Sequence, residues 1–386
     1  MTGAVVVGGD YQGLGIVRSL GRRGVPVYVV DDERSIARYS RYTTRFVATP
    51  SLRDEEQTVA TVLGVAHRHR LEGWVLFPTR EETVAAFSRH RQRLSATLRV
   101  PTPGWGSVRW AWDKRNTYRR AAELGIPTPR TWCPRGADEL DELAVEPPVV
   151  LKPAVKEHFI YATKAKAWRA DTRADLRTLF ATASSIVPRG EVMLQELIPG
   201  DGEHQYAYCG LFKDGTSLAT MTVRRRRQHP PEFGRASTYV ETLDMPELER
   251  LSERFLRSIG YYGLVELEYK RDPRDGQLKL LDVNARTWGY HTLGAAAGVD
   301  FPALLFDDQL GRTVERRRGR AGVSWIRLLT DLPTAALQIA GRRLTAREYA
   351  RSVRGAATEA VFMRDDLLPG VAELALVPYL AVRRGF

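Results

Sequence analysis

The sequence predicts an α/β protein with α+β character in places, and three patterns support that prediction. An apolar strand at 3–7 leads through a glycine-rich turn into a helix and a second strand, which is the pattern of a βαβ unit. In the second half, two strands with alternating apolar residues flank a polar turn, the signal of a hairpin. Between them, Leu248, Leu251 and Phe255 recur at helical spacing within 246–259. The chain therefore combines strand–helix units with an antiparallel hairpin.

Length and composition narrow the class of protein. The 386 residues suffice for two or three domains with ample core. With 43% hydrophobic and 27% charged residues, the chain is globular rather than disordered. No apolar run approaches the ~20 residues of a membrane span, and the apolar start is too short for a signal peptide. Cys133 and Cys209 form no metal-ligand pattern and fit a reducing compartment, so we expect a cytoplasmic protein without a membrane span.

The net charge of +12 raises the question of a nucleic-acid or membrane partner. The excess is almost entirely arginine, spread along the chain, and the sequence has no aromatic-basic RNA motif, basic zipper or zinc finger. Five of the eight lysines fall in one segment: Lys114, Lys152, Lys156, Lys164 and Lys166. A flexible ammonium suits a mobile phosphate. We therefore expect the charge to attract a nucleotide and an anionic substrate, and we expect no nucleic-acid partner.

The N-terminal βαβ unit leaves two interpretations open. Its turn reads Gly-Gly-x-x-x-Gly-x-Gly and departs from the Gly-x-Gly-x-x-Gly fingerprint, but Asp31 lies about where a dinucleotide fold places its ribose-binding acid. A NAD(P)-binding oxidoreductase is therefore an alternative, although a structural turn is favoured. A later strand at 74–77 precedes Thr79 and Glu82, which we predict on the substrate side because ligands bind at such strand ends. An ordinary helix cap is the competing interpretation.

The lysine-rich segment predicts a region that binds phosphate. Lys114 lies at the start of a helix that ends before Gly125, and Lys152 follows a short apolar strand. The glycine-free stretch 154–167 then contains the other three lysines, whose flexible ammonium groups also suit phosphate. The alternative for this stretch is a solvated lid hairpin.

A strand edge at 192–198 suits an adenine ring. Its backbone can bind the ring edge, with Leu197 and Ile198 against the ring face; Gln195 and Glu196 precede them and Glu203 follows after a Pro-Gly turn.

The hairpin at 263–291 contains the most specific pattern. Alternation places Glu266 and Glu268 on one face of the first strand, and antiparallel pairing can bring Glu268 beside Asp282 and Asn284 of the second. Facing carboxylates repel unless a cation lies between them, and oxygen ligands suit Mg²⁺ or Mn²⁺. An edge hairpin with a solvated polar face is the plainer alternative.

Acid-x-Asn-x-Arg after Gly-x-x-x-x-Glu-aromatic resembles the metal site of the ATP-grasp superfamily, which includes biotin carboxylase and D-alanine–D-alanine ligase. The resemblance implies that Glu268, Asp282 and Asn284 hold Mg²⁺ (or Mn²⁺) on the ATP phosphates and that Arg286 steadies an acyl phosphate. It also implies that Lys114 and Lys152 contact the phosphates, Glu196 the adenine amino group and Glu203 the ribose. The departures are Asp for Glu at 282, Ala for Pro at 285, and the missing glycine-rich flap.

The resemblance implies an ATP-grasp fold with four regions. They are an N-terminal Rossmann-like pre-ATP-grasp domain at 1–110, a linker helix and lid at 111–192, a core with the metal site at 193–315, and a helical C-terminal extension at 316–386. Within the extension we expect helices at 324–339, 346–354 and 371–382.

The implied activity is that of a ligase. It would convert a small-molecule carboxylate into an acyl phosphate and join it to an amine (or thiol), releasing ADP and phosphate. His291 is our candidate for the general base, with His158 as a second and a structural histidine as the alternative. Arg224 and Arg226, on one strand face, are predicted to bind a substrate carboxylate, unless they form a solvated patch. A non-catalytic ATP-binding module and a homodimer both stay open.

Overall fold

The computed structural model describes residues 1–188, 190–200, 202–230, 234 and 236–384, with side chains through residue 381.

A parallel four-stranded sheet forms the N-terminal region, in the order β3-β2-β1-β4. The elements are β1 (Ala4–Val7), α1 (Tyr11–Gly21), β2 (Val27–Asp31), β3 (Arg45–Ala48), α2 (Glu55–His69), β4 (Val75–Pro78), α3 (Glu81–Arg89) and α4 (Arg91–Ser95). The predicted βαβ opening is present. Because the strands are parallel, the C-terminal ends of β1, β2 and β4 meet at one edge. That edge borders a cavity described below.

Two short helices, α5 (Trp105–Trp112) and α6 (Lys114–Glu123), connect this region to the next. Asp113 lies between them and accepts a hydrogen bond from the backbone amide of Arg115, so it is the N-cap of α6. Val108 and Ala121 pack into the same apolar cluster as the hairpin strands of the core. The cap therefore places Lys114 at a helix start that faces the hairpin.

The lid is a four-stranded antiparallel sheet in the order β5-β8-β6-β7. Its elements are β5 (Thr131–Trp132), α7 (Ala137–Glu142), β6 (Val149–Pro153), α8 (Lys156–Thr163), β7 (Trp168–Ala170), α9 (Arg173–Ile186) and β8 (Val192–Glu196). Two expectations are corrected here. The lid hairpin alternative at 154–167 is wrong, since α8 is a helix; its C-cap, Lys164, has a left-handed φ of 56°. The lid also continues past 192, because β8 pairs with β6 and β5.

The core sheet runs in the order β13-β12-β9-β10-β11-β15-β16, with β14 beside β10. Its elements up to 315 are β9 (Gln205–Lys213), β10 (Thr216–His229), β11 (Ala236–Leu243), α10 (Pro246–Ser258), β12 (Gly263–Arg271), β13 (Leu278–Asn284), α11 (Thr292–Ala296) and α12 (Phe301–Gln309). Val265 and Leu267 pack with Leu248 and Phe255 of α10 on one face. Glu266 and Glu268 therefore lie on the opposite face, toward the lid.

The C-terminal segment belongs to the core and is not only helical. It contains β14 (Arg317–Arg318), β15 (Ser324–Ile326), α13 (Leu328–Ala340), α14 (Ala346–Gly355), β16 (Thr358–Glu359) and α15 (Leu368–Arg384). The helix expected at 324–339 is wrong for its first residues: Trp325 is fully buried and pairs with Val240 as a strand. Asp366 then ties the segment to the N-terminal region through Arg18, at 2.9 Å.

Within the described residues, no helix combines the length and apolar character needed to cross a membrane.

Candidate active site

A cavity of about 160 Å³ lies between the lid sheet and the core sheet. β6, β8 and α8 contribute one side, and β9, β10, β12 and β13 contribute the other. The predicted residues that line it are Lys114, Lys152, Gln195, Glu196, Leu197, Ile198, Glu268 and Asp282. Residues as far apart in the sequence as Lys114 and Asp282 thus line one cavity.

The hairpin places Glu268 directly opposite Asp282. A different cation binds each carboxylate: the guanidinium of Arg225 lies 3.2 Å from Glu268, and the ammonium of Lys114 binds Asp282. Burial alone would raise the pKa of both carboxyls, but the adjacent cations outweigh it and hold both pKa values below their usual range. Burial likewise would lower the pKa of Lys114, and Asp282 raises it instead. Both acids are therefore ionised at neutral pH.

Asn284 and Glu266 form the next pair of the same hairpin. The amide nitrogen of Asn284 donates to Glu266 at 3.0 Å and to Glu268 at 3.1 Å. Glu266 also accepts from the hydroxyl of Tyr290, and burial together with Glu268 raises its pKa to about 7. The alternation of the strand places Glu266 on the same face as Glu268, but the metal motif does not include it. That alternation is the sequence feature that could have placed Glu266 in the site.

The residues of the hairpin fit a hard divalent cation by their chemistry. Glu268, Asp282 and Asn284 offer two carboxylates and an amide, the oxygen donors that Mg²⁺ prefers. In the part of the chain that the structure describes, no three His, Cys, Asp or Glu side chains converge as a ready metal site. The cations Arg225 and Lys114 neutralise the two acids instead. A divalent ion would take over that neutralisation.

The end of the cavity beside Lys152 is rich in lysine. The ammonium of Lys152 donates to the hydroxyl of Tyr118 at 2.6 Å, and that hydroxyl donates to the carbonyl of Leu281 at 2.8 Å. Lys156 and Lys166 line the same cavity. Burial lowers the pKa of Lys166 to about 8, although Glu268 opposes the shift. The lid lysines therefore contribute side-chain charge where the family pattern has a glycine-rich flap.

At the other end, the strand edge predicted for adenine lines the cavity, but the side chain of Glu196 is already engaged. Its oxygens accept from Lys279 at 3.1 Å, from Arg274 at 3.0 Å and from the backbone amide of Arg130 at 3.0 Å. The carboxylate is therefore part of an ion-pair cluster that fixes β8 to the hairpin.

Lys270 is a residue of this end that the sequence did not reveal. It is buried, and its ammonium donates to the carbonyls of Ile198 at 2.9 Å and Gly200 at 2.7 Å. It therefore fixes the segment after β8 onto β12. A lysine on the polar-alternating hairpin gave no sign of this role, since its partners are backbone atoms of another region.

Glu203 lies in a neighbouring, wider cavity of about 990 Å³, with a side chain that is 53% exposed. Arg226 lines the same cavity and lies 3.6 Å from Glu203, while Arg224 lies 3.6 Å from Glu241. The prediction that Arg224 and Arg226 face the substrate groove is wrong. The face of β10 that leads to the site bears Met221, Val223 and Arg225, so Arg225 is the arginine that enters it.

A second cavity, of about 350 Å³, lies between α8, the C-terminal edge of the N-terminal sheet and the end of the hairpin. The predicted Thr79, Glu82 and Arg286 all line it. The hydroxyl of Thr79 donates to the carbonyl of Val7 at 3.0 Å, Glu82 accepts from the hydroxyl of Tyr161, and Arg286 pairs with Glu81 at 2.7 Å. The cap alternative for Thr79 is also wrong, because Arg80 is the N-cap of α3.

The second cavity contains charged groups of both signs. The acidic residues are Asp10, Glu33, Glu81, Glu82 and Glu157, and the basic ones are Arg53, Arg80, Lys156, Lys164, Arg286 and Arg327. Of the residues that the structure describes, only Lys156 lines both this cavity and the cavity between lid and core. The two cavities therefore meet at the first turn of α8.

The structure contradicts the role expected of His291. Its Nε2 donates to the carbonyl of Gln12 at 2.9 Å, the residue is 2% exposed, and burial lowers its pKa to about 4. A Cβ at Gly15 would lie 2.5 Å from that nitrogen, so His291 packs directly on α1. His158 lies 2.8 Å from Glu191 on the lid surface. Among the described side chains, neither histidine lines the two cavities.

Asp31 is also occupied internally. It accepts from the backbone amide of Gly9 at 2.6 Å and pairs with Arg80 at 2.7 Å, and it is 1% exposed. A ribose hydroxyl would have to displace these partners. The geometry therefore does not favour the dinucleotide-binding alternative.

Comparisons with known proteins found one matching family model, one similar protein sequence and several similar folds. A family described as ATP-grasp in the biosynthetic pathway with Ter operon matches residues 210–329. D-aspartate ligase of Enterococcus faecium is 23% identical over 325 residues, which cover 79% of this chain and 76% of that protein.

Two solved structures have a similar fold. The biotin carboxylase domain dimer of Hydrogenobacter thermophilus 2-oxoglutarate carboxylase, in complex with MgADP, ADP and bicarbonate, gives a TM-score of 0.66 at 15% identity, covering 84% of this chain and 73% of that one. L-amino acid ligase from Bacillus licheniformis gives a TM-score of 0.61 at 16% identity, covering 80% of this chain and 74% of that one.

Proposed function

This chain belongs to the ATP-grasp superfamily, and we propose that it is an ATP-dependent ligase. It activates a small-molecule carboxylate as an acyl phosphate and joins it to an amine, releasing ADP and phosphate. The main support from the geometry is the contact of two cavities at Lys156. One has the size and lysines for a nucleotide phosphate tail, and the other has charged groups of both signs.

The nucleotide occupies the cavity between lid and core. Lys114 and Lys152 bind the phosphates, with Lys156 and Lys166 closing over them from the lid. Gln195, Glu196, Leu197 and Ile198 hold the adenine along the edge of β8, and Glu203 binds the ribose. The location of all but Glu203 around one cavity supports these roles. Glu203 lies in the adjoining cavity, which shares Leu197 and Ile198 with the first.

Glu268, Asp282 and Asn284 would hold Mg²⁺ (or Mn²⁺) on the phosphates. When bound, the ion neutralises charge on the transferred phosphoryl oxygens. Support comes from the oxygen donor set and from the MgADP bound in the 2-oxoglutarate carboxylase domain. For Asn284 to ligate the ion, its amide would have to turn so that oxygen replaces nitrogen beside the glutamates.

Charged groups held in position contribute most of the catalysis of both steps. The substrate carboxylate attacks the γ-phosphorus, and the β–γ bridging oxygen leaves with ADP. Negative charge then lies on the phosphoryl oxygens and, in the second step, on the tetrahedral oxygen that forms when the amine attacks. Arg286, at the end of the hairpin and in the second cavity, stabilises that oxygen. The protein thus contributes orientation and electrostatics more than covalent work.

An amino acid is the substrate class that fits the second cavity. A zwitterion needs both a cationic and an anionic partner, and this cavity supplies both signs. The names of the similar proteins, D-aspartate ligase and L-amino acid ligase, point the same way. Neither alternative is favoured: Asp31 is unavailable to a dinucleotide, and an intact hairpin with Arg286 is not needed by a regulatory ATP-binding module.

A homodimer is part of the proposal. Exposed apolar residues on α13 and α15, among them Leu332, Leu337, Leu368 and Val371, offer a surface for it. The carboxylase domain with the similar fold is itself a dimer.

Substrate-dependent ADP release tests the proposed function. The purified chain is incubated with ATP, Mg²⁺ and single or paired amino acids, beginning with D-aspartate, and ADP and phosphate are measured. We expect release only with an acid and an amine together, and about a 10²–10³-fold loss in Arg286→Ala. Arg312→Ala, at a surface site 58% exposed, is the matched control. ADP release that no acid stimulates, or that Arg286→Ala leaves intact, would refute the ligase.

A further inference from the structure

The amine step needs a proton acceptor, and His291 is excluded from that role by its position. An amine is an ammonium ion at neutral pH and has no free electron pair until it loses a proton. The acceptor has to lie in the second cavity, within reach of the point where that cavity meets the nucleotide site. That point is the first turn of α8.

Glu157 lies at that turn. It follows Lys156, lines the second cavity and is 9% exposed. Among the described residues, no arginine, lysine or histidine forms an ion pair with its carboxylate. The charged groups that face it are Lys156 on its own helix and Glu81 and Glu82 at the start of α3. A buried carboxylate without a bound cation is unusual, since buried charges are normally paired.

The two neighbouring acids, Glu81 and Glu82, already have side-chain partners. Glu81 pairs with Arg286 at 2.7 Å, and Glu82 accepts from the hydroxyl of Tyr161. Glu157 is thus the acid of this group that has no side-chain partner of its own in the described part of the chain. An incoming ammonium ion would supply that partner.

We propose that Glu157 binds the ammonium group of the amine substrate and accepts its proton, so that the neutral amine can attack the acyl phosphate. This inference rests on the proposed ligase function and adds a residue role to it.

The protons and electrons balance without a further reactant. The ammonium transfers one proton to the Glu157 carboxylate, and the nitrogen electron pair forms the bond to the carbonyl carbon. The bond from that carbon to the phosphate oxygen breaks, and the phosphate leaves with its electron pair. It takes the second proton from the nitrogen and departs as monohydrogen phosphate. Glu157 then returns its proton to water.

The surroundings of Glu157 suit this task. Burial, together with the nearby Glu81 and Glu82, raises the pKa of its carboxyl to about 7, while Lys156 opposes the shift. A general base works best when its pKa lies near the working pH, because it is then both partly ionised and basic enough.

Hydroxylamine separates proton acceptance from acyl-phosphate formation. It is a nucleophile that is largely unprotonated at neutral pH, so it attacks the acyl phosphate without help from a base. The wild type and Glu157→Gln are given ATP, Mg²⁺ and D-aspartate with either hydroxylamine or an amino-acid amine, and hydroxamate and amide are quantified. We expect the variant to lose about 10²–10⁴-fold in amide formation and to keep hydroxamate formation within about threefold.

The outcomes are distinguishable. Glu142→Gln, an exposed glutamate of the lid helix α7, should match the wild type with both nucleophiles. Equal loss of both products in Glu157→Gln would assign the residue a structural or lid-positioning role and overturn the proposal, as would unchanged amide formation. Glu157→Asp, which keeps the carboxylate, should recover part of the amide rate. If the wild type forms neither product with any acid, the ligase function fails, and this inference with it.

Discussion

Glu268 and Asp282 lie opposite each other on the paired strands β12 and β13, yet each carboxylate is bound by a different cation. Arg225 reaches Glu268 from β10, and Lys114 reaches Asp282 from the start of α6. The two cations thereby offset the repulsion between the two like charges. A metal that arrives with the nucleotide would exchange with cations that are already part of the fold.

Arg225 is therefore expected to support both the fold and the site. Arg225→Gln leaves Glu268, whose side chain is 18% exposed, without its nearest cation. Breaking a fully buried pair typically costs about 3–5 kcal/mol, and partial exposure reduces that cost. We expect a lower urea midpoint and a loss of ADP formation of at least about 100-fold. Urea unfolding and a coupled ADP assay measure the two effects.

Arg224 is the matched control, because it is the preceding residue on the same strand and points the other way. Its guanidinium is 34% exposed and lies 3.6 Å from Glu241. Exposed pairs of this kind contribute little, so Arg224→Gln should change the free energy of unfolding by under about 1 kcal/mol. If Arg224→Gln were the damaging change and Arg225→Gln the harmless one, the assignment of faces on β10 would be wrong.

Asp282 should control the metal requirement. Asp282→Asn removes one negative ligand, so we expect ADP formation to fall about 10²–10³-fold and the Mg²⁺ concentration for half-maximal activity to rise. Chelation with EDTA should abolish the activity of the wild type. A titration of activity against Mg²⁺ at saturating ATP measures the shift.

Asp275→Asn serves as the control for Asp282, since it removes a carboxylate from the turn of the same hairpin. Asp275 is 38% exposed and lies 3.5 Å from Lys279, outside the cavity. Its Mg²⁺ dependence should match the wild type. An Asp282→Asn enzyme with the same Mg²⁺ dependence would remove Asp282 from the set of ligands.

The hairpin could be predicted from sequence because its information is local. Two alternating strands joined by a polar turn fix which residues face each other, so the pairing of Glu268 with Asp282 follows from the pattern. The same logic failed for β10. That strand follows the phase of buried Met221 and Val223, and counting the arginines from Thr222 assigned Arg224 and Arg226 to the wrong face. β-bulges after Arg225 also disturb the alternation.

Other errors came from information that is not local. Trp325 becomes part of a strand because β11 pairs with it, and a three-residue strand has too short a pattern to reveal itself. Lys270 binds carbonyls of 198 and 200, which no sequence spacing indicates. The position of His291 after the metal motif suggests a base, and only its packing against α1 shows that it is enclosed.

Lys270 should affect ATP binding because it fixes the segment that follows β8 at the edge of the cavity. Lys270→Met removes two charged hydrogen bonds from the segment that follows β8, and hydrogen bonds to charged groups contribute about 1.5–3 kcal/mol each. We expect the KM for ATP to rise about 10–100-fold, with a smaller change in kcat at saturating ATP. Initial rates over an ATP series measure both constants.

Lys213→Met is the comparison for Lys270→Met. Lys213 is 38% exposed and pairs with Asp308 outside both cavities, so the KM for ATP should stay within about twofold of the wild type. If Lys270→Met lowered kcat alone, the residue would act on the chemical step and not on the position of the adenine segment.

His291 should influence stability at acid pH and leave the activity profile at neutral pH unchanged. Its pKa in the folded chain, about 4, lies below the ordinary value of 6.5. The unfolded chain therefore binds the proton more readily, and stability that is fully present above pH 6.5 is lost as the pH falls toward 4. A shift of this size corresponds to roughly 3 kcal/mol. His291→Gln keeps a donor for Gln12 but does not titrate, so its urea midpoint should fall less steeply between pH 6.5 and 4. If the urea midpoints of the two proteins fell in parallel with pH, His291 would titrate normally. A changed pH–rate profile in the variant would restore His291 as a candidate base.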